Sequence, residues 1–408
     1  MPHRPRLIIL GIILAMLLGG FFVVRQYLPA IRPTFGPPPD DITEYLPEDS
    51  VPPQAPLLAE NKTNFPLKLP SGFRISIFAK DLPGARVMRF DRFGNMWVSR
   101  TGEGAVTLLE IDRETGKVTH QDDVFTGLSK PHGLAFDPEN GLTLYIAEER
   151  RLRRFATYSE DPGTELLALP AGDGHFTRTI GFGPDGKLYL SVGSSCNVCV
   201  EDDERRASIL RYDVKTKQSE IFARGLRNAV FFAWDYVRGH MWATEMGRDW
   251  LGDDLPPDEI NAVVGGGDYG WPNCYGKNIH DADFDKNVYI RDPCADKQPS
   301  AIDLPAHVAP LGLAFIPEEG WPEDYWYDLI VAYHGSWNRS QPTGYKVVRH
   351  KFDAAGTYEG VEDFITGWLT PAGALGRPVD LIVQPGGIVY LSDDKAGVIY
   401  KITRQSNQ

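Results

Sequence analysis

Apolar and polar positions along the chain repeat one unit: a short apolar or alternating strand, a turn built on Pro, Asp or Gly, and a second apolar strand. VMRFDRFGNMWVSR from Val87, HGLAFDPENGLTLYIAE from His132 and TIGFGPDGKLYLSVG from Thr179 are three copies. VFFAWDYVRGHMWATE from Val230, LGLAFIPEEGWPEDYWYDLIVAYHG from Leu311 and VDLIVQPGGIVYLSDD from Val379 are three more. Several copies are followed by a third strand, as in ASILRYD (207–213), YKVVRHKFD (345–353) and GVIYKI (397–402). With Arg92, Pro138, Pro184, Trp234, Pro317 and Pro385 as markers, successive spacings are 46, 46, 50, 83 and 68 residues. The short spacings match a four-stranded propeller blade, and the long ones place insertions in the fourth and fifth blades. No long amphipathic helical pattern interrupts them. The expected fold is all-β, a six-bladed β-propeller, with FRISIFA (Phe73–Ala79) as the outer strand that closes the ring on the last blade.

This topology gathers particular residues. In a four-stranded meander, the lead-in to the first strand and the loop after the second strand lie on one face. The lead-ins carry His132, His175 with Arg178, Arg227 with Asn228, His307 and Arg377. The second-strand loops are SSCNVC, EMGRDWLGDD, HGSWNRS and SDDKAG. One mouth of the central channel is therefore expected to hold His, Arg, Asn, Trp and acidic residues. The opposite turns are ordinary polar turns, and function resides on loops over a rigid scaffold. Clustered cations at one mouth point to a bound anion, because they repel one another without one.

The N-terminus is of another kind. MPHRPR is basic, and Leu7 to Val24 is an unbroken apolar run close to the ~20 residues that span a bilayer. We read residues 1–27 as an uncleaved signal anchor, with a cleaved signal peptide as the alternative. Arg4 and Arg6 set the N-terminus in the cytoplasm and send the rest across the membrane. Residues 28–65 are a Pro-rich, acidic tether, and 66–408 the propeller. The net charge of -13 over 408 residues argues against nucleic acid as a partner. Export permits disulfides. The simplest pairing of the four cysteines is Cys196–Cys199 and Cys274–Cys294, though the sequence does not settle the pairing. CNVC lacks the following His of a haem site, the βαβ setting of a redox motif and the further ligands of a zinc site.

HFTRTIGFGPDGKLYLSVG, GLRNAVFFAWD and DEINAVVGGGDYGWPNCYG, in this order, resemble the glucose/sorbosone dehydrogenase family of soluble quinoproteins. HGSWNRSQPTGYKVVR and CNVC bring the likeness closer to its sorbosone dehydrogenase branch. The resemblance runs from about Phe65 to Ile402. It implies pyrroloquinoline quinone and calcium as cofactors, with an aldose or sorbosone-like sugar as substrate. A membrane quinone or cytochrome takes the electrons. A tricarboxylate cofactor wants Arg and Lys, calcium wants hard oxygen ligands, and neutral His suits proton removal near pH 7.

By resemblance, His175 is the catalytic base, and Arg227, Asn228, Lys346 and Arg377 bind the cofactor. The Gly247 and Arg248 carbonyls are expected to hold the cofactor's calcium, and Asp258, Glu259 and Tyr269 a second, structural calcium. Val379 and Arg248 depart from the family's usual Arg and Pro. Two other readings suit a six-bladed propeller: a calcium-dependent lactonase and a non-catalytic extracellular binding domain. A lactonase needs acidic or amide ligands at the channel centre, where this chain offers Arg and His.

Overall fold

A computed structural model describes residues 60–405, apart from 160, 161 and 171. The anchor and most of the tether lie outside the described residues. Among those described, no helix is long and apolar enough to cross a membrane.

Five four-stranded antiparallel sheets and one five-stranded sheet are arranged as six blades. Blade 1 comprises Ala85–Phe90, Met96–Arg100, Ala105–Ile111 and Val118–Phe125. Blade 2 comprises Gly133–Phe136, Thr143–Glu148, Arg151–Ala156 and Thr164–Ala168, and blade 3 Ile180–Phe182, Leu188–Val192, Ser208–Tyr212 and Ser219–Arg224. Blade 4 uses Phe231–Trp234, Met241–Glu245, Asp258–Val263 and, after a long excursion, Ile302–Leu304. Blade 5 uses Pro310–Phe315, Leu329–Tyr333, Lys346–Phe352 and Tyr358–Ile365. Blade 6 uses Pro378–Gln384, Ile388–Asp393 and Val398–Arg404. The only helical element among the described residues is a 3-10 turn at Glu323–Tyr325.

The sixth blade is completed from the other end of the chain. Phe73–Ala79 pairs antiparallel with Val398–Arg404, Ile75 opposite Ile402. The ring closes as the pattern predicted. The tether, however, ends earlier than expected: Asn61–Lys62 adds a short parallel strand outside Phe73–Ala79, and Phe65 packs edge-on against Tyr400. An unpaired edge strand presents open N–H and C=O groups, and this extra strand covers part of that edge.

The second strands are buried along almost their whole length, as in LYLSV and LIVAY. This explains their continuous apolar run rather than alternation: neighbouring blades cover both faces. Inner strands crowd the axis. A Cβ on Gly133 of blade 2 meets the Arg178 carbonyl at 2.2 Å, and one on Gly312 of blade 5 meets the Val379 carbonyl at 2.5 Å. Both obstacles are backbone of the next blade, which does not yield cheaply. Gly312→Ala is therefore expected to cost about 1–3 kcal/mol, seen as a lower thermal midpoint.

Both expected disulfides form, Cys196–Cys199 and Cys274–Cys294. The second pins the blade 4 excursion, whose small hairpin pairs Cys274–Tyr275 with Ile279–His280.

Candidate functional site

The lead-ins do converge on the second-strand loops. The His175 N–H donates to the Ser194 carbonyl at 2.9 Å. The His307 ring meets the Gly252 carbonyl at 2.8 Å, and Arg377 Nε donates to the His334 carbonyl at 3.1 Å.

His175 is held on every side but one. Its Nδ1 lies 3.1 Å from the Ser194 carbonyl and 3.0 Å from Ser194 Oγ. A carbonyl only accepts, so Nδ1 carries the proton and Nε2 keeps the free lone pair. The His175 carbonyl receives Arg178 at 2.8 Å and Arg206 at 3.3 Å. Burial pushes the imidazole well below its usual range, and the Arg227 charge pushes the same way. The ring is thus neutral at pH 7, with one acceptor nitrogen on a partly open edge. Gly193 beneath it is obligatory, since a Cβ there lies 2.6 Å from His175 Cβ and 2.5 Å from Asn228 Oδ1.

Arg227 is buried at the same mouth, but its donors are spent on protein. Nε donates to the Asn197 carbonyl at 2.8 Å, and one terminal nitrogen to Asn197 Oδ1 at 2.9 Å. The other terminal nitrogen donates to the Gly247 carbonyl at 2.9 Å. Asp249 supplies the counter-charge at 3.4 Å. Asn228 is buried beside it, its amide nitrogen 3.6 Å from Met246 Sδ. Arg377 is fully buried and bridges to blade 5 through the His334 and Gly335 carbonyls. Lys346 opens the third strand of blade 5, opposite Tyr333, and its ammonium pairs with Asp363 of the outermost strand. Val379, where the family carries a second arginine, is core.

Other cations supply the positive field. Arg178 is wholly buried, and its Nε and one terminal nitrogen lack a protein acceptor; Arg86 Nε lacks one too. Burial and the neighbouring Arg206 pull the Arg178 guanidinium down to about 9. Uncompensated donors under a mouth favour an anion above them, so the donor set fits a carboxylate-bearing group.

The expected metal residues gather around one turn and one cavity, which Gly247 and Arg248 line together with Glu259 and Tyr269. The Gly247 carbonyl already accepts from a guanidinium, and the Arg248 side chain pairs with Asp281. Asp258 also belongs here: its two oxygens accept the Gly247 and Ala309 N–H groups, both at 2.8 Å. Burial pushes it up to about 7, against the pull of those two N–H groups. Glu259 points to the other side of its strand and lines a cavity with Glu245 and Tyr269, alongside Arg227, Gly247 and Arg248. The cavity offers about 20 Å³ to the centre of a water-sized sphere, room for one water or ion. Glu245 and Glu259 stand directly opposite on paired strands. Burial, reinforced by its charge on the other, pushes Glu245 well above the carboxylate range, and Glu245 Oε2 has no partner. Glu259 Oε1 accepts the Gly276 N–H and Oε2 the Asn261 amide, so the orphaned Glu245 oxygen facing it is the atom that fits a hard divalent cation.

The sequence profile of the TrAA12-like family matches residues 67–405. The chain belongs to the TrAA12-like family. An uncharacterized protein of Borreliella burgdorferi is 30% identical over 366 residues, covering 85% of this chain and 93% of that one. The pyrroloquinoline quinone-dependent pyranose dehydrogenase of Coprinopsis cinerea is 25% identical over 84% of this chain, but the match spans only 55% of that enzyme. Its pyrroloquinoline quinone domain in holo form superposes with a TM-score of 0.70 at 23% identity, covering 86% of this chain and 99% of that domain. The calcium structure of the Trichoderma reesei family AA12 enzyme superposes at 0.73 and 22% identity, covering 84% and 98%. Both superpositions confirm the fold.

In this TrAA12-like chain, sequence reading missed Glu245, Asp281, Ser194 and Asn197. Glu245 ends the strand MWATE, and a Glu closing a mostly buried strand was the available signal. Nothing local marks Asn197: its role appears only when blades 3 and 4 are adjacent.

Proposed function

We propose that this protein is an exported, membrane-tethered quinoprotein oxidoreductase that oxidises an aldose or related sugar using pyrroloquinoline quinone and calcium. The observation that carries the reading is His175, a neutral imidazole with its proton fixed on Nδ1 and Nε2 open at a cation-rich mouth. Named relatives in two fungi, a sugar and a pyranose dehydrogenase, use this cofactor. The apolar run at Leu7–Val24 supports the tether. A membrane quinone or cytochrome suits a domain held at that surface.

Bound at the mouth, the quinone supplies a hydride acceptor. Arg178, whose Nε and one terminal nitrogen lack a protein acceptor, would offer those donors to its carboxylates, with the Arg227 charge and the Asn228 amide beside it. His175 Nε2 removes the sugar hydroxyl proton as the adjacent C–H hydride departs, which leaves a carbonyl on the sugar. The Ser194 carbonyl stabilises the imidazolium that forms, through Nδ1–H. Arg178 and Arg206 fix the His175 main chain, so the base needs no reorganisation during the step. Glu245 and Glu259 hold calcium beneath the loop that carries Gly247 and Arg248, stiffening that side of the mouth.

Reconstitution tests this. Purified protein with calcium and pyrroloquinoline quinone is expected to form a micromolar or tighter complex and to reduce an artificial dye with an aldose. Absence of cofactor binding at micromolar concentrations overturns the reading.

A further inference from the structure

The ring closed by Cys196–Cys199 touches both halves of the mouth. Ser194 Oγ, which faces His175 Nδ1, donates to the Cys196 carbonyl at 2.6 Å. Asn197, inside the ring, makes four bonds to blade 4. Its carbonyl and Oδ1 accept from Arg227. Oδ1 also accepts the Asp249 N–H at 2.8 Å, and Nδ2 donates to the Asp249 carbonyl at 3.1 Å. A partly exposed loop holds four such bonds more readily when its backbone is constrained. The ring of Cys196, Asn197, Val198 and Cys199 supplies the constraint, because the disulfide restricts the conformations open to the loop.

We propose that Asn197 is a positioning residue, and that the Cys196–Cys199 bond holds it as a clamp on Arg227 and the Met246–Asp249 turn. The mouth is then thiol-sensitive. A dithiol reductant gives two electrons and two protons to the bond, yielding two cysteine thiols while the dithiol becomes a disulfide. The opened loop releases Asn197. Both cysteines of this pair are partly exposed, whereas Cys274 and Cys294 are buried at 3% and 0%. Mild reduction therefore opens the first bridge alone. The link to catalysis rests on the quinoprotein reading; the clamp itself does not.

The test compares wild type, Asn197→Ala, Asn197→Asp and a Cys196→Ser/Cys199→Ser double variant, each with and without dithiothreitol. Two readouts are taken: hydrogen exchange of the peptide covering 245–250, and the Kd for pyrroloquinoline quinone with calcium. Loss of the clamp in Asn197→Ala, in the double variant or in reduced wild type is expected to speed exchange of that peptide. The same loss raises the cofactor Kd on the order of tenfold, since bonds to a charged partner are removed. The cofactor Kd moves more than kcat at saturating cofactor. Asn197→Asp keeps the Oδ1 acceptor and recovers most of both. Dithiothreitol adds nothing to Asn197→Ala, because the ring acts through that side chain. Unchanged exchange in Asn197→Ala, or an equal effect of dithiothreitol on Asn197→Ala and wild type, overturns the proposal. If wild type binds no cofactor, the functional reading fails, and the exchange data still decide the clamp.

Discussion

Replacing His175 with glutamine is expected to lower kcat for sugar-dependent dye reduction about 10²–10⁴-fold, the usual worth of a general base. The cofactor Kd should stay within about threefold of wild type, because the residue touches the reacting proton rather than the cofactor's carboxylates. Glutamine keeps a polar side chain of similar reach but has no titratable nitrogen. The pH profile adds a second check. Burial and the Arg227 charge depress the imidazole, so its neutral, working form persists below pH 6.5. The acid limb of kcat/KM should therefore fall below the ordinary histidine range. A limb at pH 6.5 or above, or a His175→Gln enzyme with wild-type turnover, contradicts the assignment.

Removing calcium is expected to have the second largest effect. At a hundredfold excess over its Kd, a bound ion adds about 2.7 kcal/mol. For a domain of this size that corresponds to roughly 3–5 °C in thermal midpoint. The increment arises because Glu245 and Glu259 face one another in a buried cavity and resist ionising without a cation. Glu259→Gln and Glu245→Gln should each abolish most of the calcium-dependent rise. Asp258→Asn should retain it, since both Asp258 oxygens are turned to backbone N–H groups on the other side of the strand. A calcium increment lost in Asp258→Asn but kept in Glu259→Gln reverses this placement.

The contrast between Asp258 and Glu259 shows what a linear reading could reach. Adjacent acidic residues in DDLPPDE look like one ligand pair. In a strand, adjacent side chains leave on opposite faces, so one carboxylate props the Gly247 turn and the other enters the cavity. Arg227 and Arg377 likewise sit at the predicted mouth, yet what their guanidinium groups bond depends on carbonyls of the adjoining blades. The anchor of residues 1–27 lies outside the described residues, so that expectation stands as the proposal made above.

By itself, the sequence determined the six repeats, the closing strand at Phe73–Ala79 and the mouth on which His175 sits. Each follows from local periodicity or from meander topology, which neighbouring residues carry. Only the tertiary structure decided which nitrogen of His175 is free, that Glu245 faces Glu259, and that Asn197 grips Arg227 and Asp249. Those depend on contacts between segments brought side by side by ring closure. Their geometry is set by packing of whole blades, and no short stretch of chain encodes it.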